Sequence, residues 1–99
     1  MKFAYKIFRS AGDTLLAVSD HSLLGKKFEE DELSLEVNEG FYHENSCDEK
    51  GIVDVIKDAT IVNAVGEGIV SLMVREKIID ESNVLRIGGV PHAQIVVIR

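Results

Sequence analysis

The pattern of apolar and polar positions predicts three β-strands in the first half of the chain, two of them by alternation. Because successive side chains of a strand point to opposite faces, such a pattern buries one face and leaves the other polar. The alternation covers residues 3–9 and 33–37 and is cleanest in the second of these, whereas residues 14–18 are apolar after Thr14 and predict the remaining strand. Ala11-Gly12-Asp13 separates the first two segments and is typical of a turn, so the sequence predicts an N-terminal hairpin.

Two shorter stretches follow these predicted strands in the sequence. Asp20 is the predicted N-cap of a short helix over residues 21–24. Residues 40–45 resemble a loop that carries two neighbouring aromatic side chains, Phe41 and Tyr42. Exposed aromatic side chains often contact protein partners, so this pair is a candidate partner surface, although burial is the commoner fate of such residues.

Helical periodicity appears twice in the second half of the chain. A capping box over residues 46–49 predicts the start of a first helix that continues to Ala59. Asn63 is the predicted N-cap of a second helix over about residues 64–77. The β-branched segment 60–62 predicts a short strand between the two helices.

The last third of the chain predicts a β-α-β unit followed by a C-terminal hairpin. Strand 60–62, the second helix and strand 84–87 form a crossover, which makes the two strands parallel and the connection right-handed. The segment Gly88-Gly89-Val90-Pro91 breaks the pattern, and residues 92–98 form a last strand that is apolar on both faces and hence inside the sheet. Because proline has no N–H to donate to a ladder, Pro91 is expected in the turn.

These elements predict one domain, residues 1–99, of the α/β or α+β class. Its expected architecture is a mixed sheet of about five to six strands with two main helices, one right-handed β-α-β unit and N- and C-terminal hairpins. Asn63 and Ile87 are expected at the carboxyl ends of parallel strands. The turns that follow them should then open at the same edge of the sheet, where ligands of α/β sheets usually bind.

Charge is distributed unevenly along the chain. The net charge is −6 overall, with +3 in residues 1–27, −9 in residues 28–58 and 0 in residues 59–99. Non-specific DNA binding is not expected, because phosphate contacts need clustered Lys and Arg. The longest apolar runs, including residues 95–98, have four residues, far short of the roughly 20 that span a bilayer. No membrane contact is therefore expected, and the single cysteine indicates the cytoplasm.

The turn before the last strand holds the main candidate for chemistry. His92 follows the Gly-Gly-x-Pro turn and could act as an acid-base group or as a hydrogen-bonding group. Alternatively, the glycines only reverse the chain and His92 only begins a strand. The candidate ligand-binding residues are Asn63, Gly66, Gly88, Gly89, His92 and Gln94.

Other chemistry has weaker support. Cys47 is expected in the first turn of a helix, where the helix dipole would lower its pKa, but Asp48 and Glu49 oppose a thiolate. His43 is the only histidine near Cys47 in sequence, and a Cys47–His43 nucleophilic pair is an alternative to a structural cysteine. The histidines and the cysteine lack the close paired spacings of zinc sites, so neither metal nor cofactor is expected.

Several stretches resemble an archaeal family, the domain-of-unknown-function family numbered 424. The resembling residues are SLLGKKF (22–28), NEGFY (38–42), ATIVNAVGEGIV (59–70) and RIGGVPHAQ (86–94), with GGVPHAQ the most specific. The likeness covers the whole domain. It implies a small cytoplasmic archaeal protein and hints at a translation or RNA context, and it transfers no catalytic residue.

Three hypotheses for function follow. The first is a non-enzymatic binding module with a protein or ribonucleoprotein partner in translation. It rests on the absence of a convincing catalytic set, on the segregated charge and on the candidate partner surface of Phe41 and Tyr42. The second is a small enzyme or an anion- or ligand-binding protein, with its site at the Gly88–His92 turn. The third is a homo-oligomer whose turn or edge strand forms the interface. Whether the protein is an enzyme stays open at this point, and the first hypothesis is preferred.

Overall fold

A six-stranded mixed sheet and a separate two-stranded hairpin make up the β-structure in the computed structural model, which describes residues 1–97. The strands are β1 (Phe3–Ser10), β2 (Asp13–Asp20), β3 (Lys27–Glu30), β4 (Leu33–Glu36), β5 (Asn45–Cys47), β6 (Ile61–Val65), β7 (Leu85–Ile87) and β8 (Val90–Val96). The helices are α1 (Glu39–Tyr42), α2 (Glu49–Lys57) and α3 (Glu67–Arg75). The larger sheet has the order β5-β1-β2-β6-β8-β7. The predicted mixed sheet with two main helices is confirmed.

Both predicted hairpins are present. The strands β1 and β2 pair antiparallel over their whole length, from Phe3 opposite Asp20 to Ser10 opposite Asp13. The β7–β8 hairpin turns at Gly88 and Gly89, whose φ angles of 58° and 81° match the two-residue turn that suits hairpin twist. Ile98, predicted to end the last strand, lies outside the described residues.

The strands β6 and β7 run in the same direction, as the β-α-β prediction requires, but they are not neighbours. Both pair antiparallel with β8, which lies between them. The hairpin that follows β7 therefore inserts its second strand into the interior of the sheet, where the apolar sequence of β8 indicated it would lie.

The prediction for Pro91 is wrong, because this residue lies within β8 and is fully buried. Its missing N–H falls at the end of the ladder between β6 and β8. There the Gly66 N–H donates to the Pro91 carbonyl at 2.9 Å. The Gly66 carbonyl is not left unsatisfied, since it accepts a bond of 3.0 Å from Val70 at the start of α3. Proline is tolerated here because no ladder bond needs its N–H.

The predicted starts of the two main helices also need correction. Asn63 lies in the middle of β6, and α3 begins only after Gly66, whose φ of 123° turns the chain sharply out of the strand. The N-cap of α2 is Asp48, not Ser46, and the Asp48 side chain accepts a bond from Gly51 N–H. Cys47 therefore lies in β5 rather than in a helical first turn, because β5 pairs with β1.

The strands β3 and β4 and the helix α1 form a layer over one face of the large sheet. The segment predicted as a loop forms α1 instead, because the Asn38 side chain caps it by accepting from Gly40 N–H. The acidic run lies at the β3–β4 turn, where Asp31 has a φ of 55°. The strand predicted over residues 33–37 corresponds to β4, but its partner β3 was not predicted.

Each face of the large sheet has its own hydrophobic core. One face packs against α2 and α3 and contributes residues such as Phe3, Leu16 and Val62. The opposite face packs against the layer of β3, β4 and α1, and its core includes Ala17, Val65 and Ile87. We call this second side the hairpin face. No helix within residues 1–97 is long and apolar enough to cross a membrane.

Candidate functional site

Three side chains meet on the hairpin face. The Tyr42 hydroxyl donates to Asn63 Oδ1 at 2.7 Å, and His92 Nε2 lies 3.2 Å from the same oxygen. Tyr42 is buried, whereas Asn63 and His92 are half-buried. We call this group the Tyr42–Asn63–His92 network. Two of the candidate residues, Asn63 and His92, are therefore brought together by the fold, and Tyr42 joins them from the covering layer.

The pairing of β6 with β8 places Asn63 beside His92. Val65 lies opposite His92 and Asn63 lies opposite Gln94, so Asn63 and His92 are diagonal neighbours on adjacent antiparallel strands. Residues two apart on a strand share a face, so Gln94 points to the same side as His92. Tyr42 reaches the pair from the last position of α1.

The hydrogen bonds determine which ring nitrogen of His92 carries a proton. Asn63 Oδ1 can only accept, so Nε2 must donate, and the neutral ring then has Nδ1 as an acceptor. Burial lowers the pKa of His92 and favours this neutral form. Burial also raises the pKa of Tyr42 to about 12, so its phenol keeps its proton at neutral pH. The network is therefore uncharged and rich in hydrogen-bonding groups.

The candidate glycines lie away from this network, at one edge of the sheet. Gly66 follows β6 and Gly88 follows β7, so the two turns share an edge, as expected for strands that run in the same direction. Asn63 itself does not lie at this edge, because it is the third of the five residues of β6. The Gly88 N–H donates to Glu30 Oε1 at 3.1 Å. A carboxylate thus occupies the position that a bound anion would take.

Phe41 and Tyr42 do not form a joint surface, because they have different environments. The Tyr42 side chain is 4 % exposed and belongs to the core of the hairpin face. Phe41 is half-buried and stacks on Phe8 with ring centroids 5.2 Å apart. A joint partner surface, as the sequence predicted, would need both side chains to be exposed. Tyr42 instead lies in the interior, where its hydroxyl donates to Asn63 Oδ1.

Part of the hairpin face is left open by the covering layer. Leu85 is opposite His92, and Val96 is opposite Ile61, so their side chains point to the same side as Asn63 and Gln94. We call the six residues together the open patch; they are Ile61, Asn63, Leu85, His92, Gln94 and Val96. Leu85 is 49 % exposed and Val96 is 70 % exposed, which is high for large apolar side chains.

Asp20 has a structural role that its sequence position did not predict. Its carboxylate accepts bonds of 2.8 Å from the N–H groups of both Gly68 and Ile69, so it caps α3 and makes no side-chain cap for residues 21–23. Burial raises the pKa of Asp20, although the two N–H bonds oppose the rise. No local signal links Asp20 to a helix almost fifty residues later; only its type, a common N-cap residue, was informative.

Neither a reactive cysteine nor a metal site of three or more side chains is found in the described part of the chain. Burial and the neighbouring Asp48 raise the pKa of Cys47, which favours the thiol over the reactive thiolate. Within residues 1–97, no group of three or more His, Cys, Asp or Glu side chains is arranged to hold a metal ion. His43, the histidine considered as a partner for Cys47, has its Nε2 3.2 Å from the hydroxyl oxygen of Ser46.

Comparisons with known proteins agree with this architecture. A family described as "Protein of unknown function (DUF424)" matches residues 8–98, and this match confirms the resemblance found in the sequence motifs. The chain is also similar to a crystal structure of an uncharacterized conserved protein from Methanopyrus kandleri. The two are 26 % identical with a TM-score of 0.80, over 100 % of this chain and 95 % of the other. The curated proteins contain no significant match.

Proposed function

We propose that this chain, which belongs to the DUF424 family, is a non-enzymatic module that binds a protein partner through the open patch. The observation that carries the proposal is the exposure of Leu85 and Val96 on either side of the polar group formed by His92 and Gln94. An apolar surface interrupted by a few hydrogen-bonding groups is typical of a protein interface.

The apolar part of the patch supplies the driving force for association. Burial of apolar surface contributes roughly 25 cal/mol per Å², so large side chains that are half or more exposed gain most when a partner covers them. Leu85 and Val96 are 49 % and 70 % exposed, and Ile61 adds a half-buried side chain opposite Val96. The three side chains share one face of the sheet, so a single partner surface can cover them together.

The polar part of the patch suits uncharged groups. Asn63 Nδ2 has no hydrogen-bond partner within residues 1–97, and His92 Nδ1 and the exposed Gln94 amide add further acceptors and donors. These groups match the amides and carbonyls of a protein chain. None of the six residues carries a full charge at neutral pH, whereas contact with a phosphate backbone needs Lys or Arg. The net charge of −6 also favours protein over RNA.

Catalysis has little support in the same residues. His92 is the one readily titratable side chain of the open patch, and its pKa is lowered by burial. Its neighbours in the network are an amide and a phenol with a pKa of about 12, and neither acts as a general base at neutral pH. The carboxylate that already accepts from Gly88 also weakens the alternative of an anion site at the turn.

The expected partner is cytoplasmic, and translation proteins are the first candidates because of the sequence resemblance. The test replaces Gln94 with a photo-crosslinking amino acid in the full chain. A partner trapped at position 94 is identified by mass spectrometry, purified, and titrated against the native protein. Leu85→Asp and Val96→Asp should each weaken its binding at least about tenfold, because each would bury an unpaired carboxylate in place of an apolar contact.

The matched control is Ser71→Asp, which adds the same charge at an exposed position of α3, on the other side of the sheet. It should leave the affinity for the trapped protein unchanged. Equal affinities for all variants would refute the assignment of the interface to the open patch. Crosslinking to RNA would overturn the choice of a protein partner, and crosslinking to a second copy would replace it with the homo-oligomer.

A further inference from the structure

Two histidines from distant parts of the sequence meet at the margin of the covering layer. The rings of His21 and His43 lie edge to face, with centroids 5.3 Å apart and an interplanar angle of 81°. His21 begins the short 3₁₀ turn after β2, and His43 is the C-cap of α1. We propose that His21 and His43 form a two-histidine site for a divalent transition-metal ion of the Zn²⁺ or Ni²⁺ class, with water completing the coordination.

The separation of the rings fits shared coordination. A zinc ion binds imidazole nitrogen at about 2.0–2.1 Å, which places each ring centre roughly 3 Å from the metal. Two rings at a tetrahedral angle then have centres about 5 Å apart. The observed separation of 5.3 Å is close to this value. Since His43 is exposed and His21 is half-buried, an ion from solvent can reach both rings.

The surrounding groups favour a metal that prefers nitrogen ligands. Ser46 Oγ lies 3.2 Å from His43 Nε2, so Ser46 can orient this ring while Nδ1 binds the ion. Cys47 cannot join the site, because neighbouring residues of a strand point to opposite faces and Cys47 points toward the α2–α3 side. Imidazole without thiolate or clustered carboxylate suits Zn²⁺, Ni²⁺ and Cu²⁺, whereas Mg²⁺ prefers oxygen.

An ion at this position would join two segments that otherwise meet by ring contact. His21 follows directly from the sheet, where its N–H donates to the Lys2 carbonyl, and His43 closes the helix that supplies Tyr42. Metal binding would therefore hold α1 in place over the sheet. A ligand that binds only the folded state raises stability in proportion to the logarithm of its concentration.

Calorimetric titration of the full chain with Zn²⁺ and with Ni²⁺ tests the site. One ion should bind per chain, and tenfold excess over Kd should raise the melting temperature by about 5 °C or more. His21→Ala and His43→Ala should each weaken binding at least about tenfold, because loss of even an outer partner of a metal ligand costs about 10–100-fold. Ser22→Ala, an exposed neighbour in the same turn, is the control that should bind normally.

A second measurement does not depend on any variant folding. Paramagnetic Ni²⁺ added to the native protein should broaden the ring resonances of His21 and His43 before those of His92. The proposal is overturned if His92 is broadened first, if all three rings respond equally, or if the native protein takes up neither ion. Undiminished binding by the two alanine variants would have the same consequence.

Discussion

His92 and Asn63 are diagonal neighbours on β8 and β6, and Nε2 of His92 lies 3.2 Å from Oδ1 of Asn63. The same oxygen accepts from the Tyr42 hydroxyl at 2.7 Å. One amide oxygen thus links a strand, its neighbour and the helix that covers them. The three residues come from separate segments of the chain. Substitution of each residue in turn measures how much the hydrogen bonds between these segments contribute to stability.

Removal of the central amide should cost more than removal of the phenolic hydroxyl. Tyr42→Phe removes one bond and should lower the free energy of unfolding by about 0.5–1.5 kcal/mol. Asn63→Ala leaves the buried Tyr42 hydroxyl without its partner and should cost about 1–3 kcal/mol. In urea denaturation, the double variant should lose less free energy of unfolding than the two single variants lose together. Tyr5→Phe is the control, since the Tyr5 hydroxyl has no hydrogen bond within residues 1–97. Strict additivity would show that the two groups do not interact.

The alternating strands were predictable because each signal is local. Phe3, Tyr5 and Ile7 of β1 contribute to the core on the α2–α3 side, so the pattern of residues 3–9 is visible without knowledge of its partners. The turn at Gly88 and Gly89 was predictable for the same reason, since positive φ angles favour glycine wherever the turn lies. These local signals were sufficient for the hairpins and for the class of the fold.

The arrangement of the site depended on contacts that no local pattern encodes. Asn63 has the residue type of a helix cap, but α3 is capped by Asp20 from another strand, so the strand β6 continues past Asn63 to Val65. The insertion of β8 between β6 and β7 is likewise a property of the whole sheet. His92 and Asn63 were both recognised as candidates, yet their contact required that insertion.

The buried phenol of Tyr42 should be visible in an alkaline titration. Burial raises its pKa to about 12, above the unfolded value of about 10. The folded state therefore holds the phenolic proton more tightly, and this contribution to stability is fully present below pH 10 and is lost as the pH rises toward 12. Ultraviolet titration of the phenolate should show one late component that Tyr42→Phe removes. A late component that persists in the variant would contradict the assignment.

Asp20 should be more important for stability than an ordinary helix cap. Asp20→Ala leaves the buried Ile69 N–H without its acceptor, so the free energy of unfolding should fall by about 2–4 kcal/mol, from loss of the cap and of a buried bond together. Asp48→Ala, which removes the exposed cap of α2, should cost only about 1 kcal/mol. Chemical denaturation of both variants gives the comparison, and equal losses would argue against a special role for Asp20.

The same carboxylate should make stability depend on pH. The pKa of Asp20 is raised in the folded state by burial, so the folded protein binds this proton more tightly than the unfolded chain does. This contribution is fully present below the unfolded pKa of about 3.9 and is lost as the pH rises through the folded pKa. Relative to Asp20→Asn, the native protein should therefore lose stability as the pH increases from about 4. A constant difference across this range would show that the proton is not bound more tightly.

Gly66 should be the least replaceable glycine of the chain's turns, because two separate constraints act on it. Its φ of 123° is a conformation that L side chains rarely adopt, and an added Cβ would lie 2.5 Å from Asp20 Cγ. Gly66→Ala should therefore cost about 3 kcal/mol or more, from backbone strain and from displacement of the α3 cap together.

Gly12→Ala is the matched control, since Gly12 also has a positive φ of 89° but no atom within 4 Å of an added Cβ. It should cost only about 1–2 kcal/mol. Thermal and urea unfolding of the two variants separate the constraints. If Gly66→Ala is no worse than Gly12→Ala, the close approach of Asp20 does not determine where β6 ends and α3 begins.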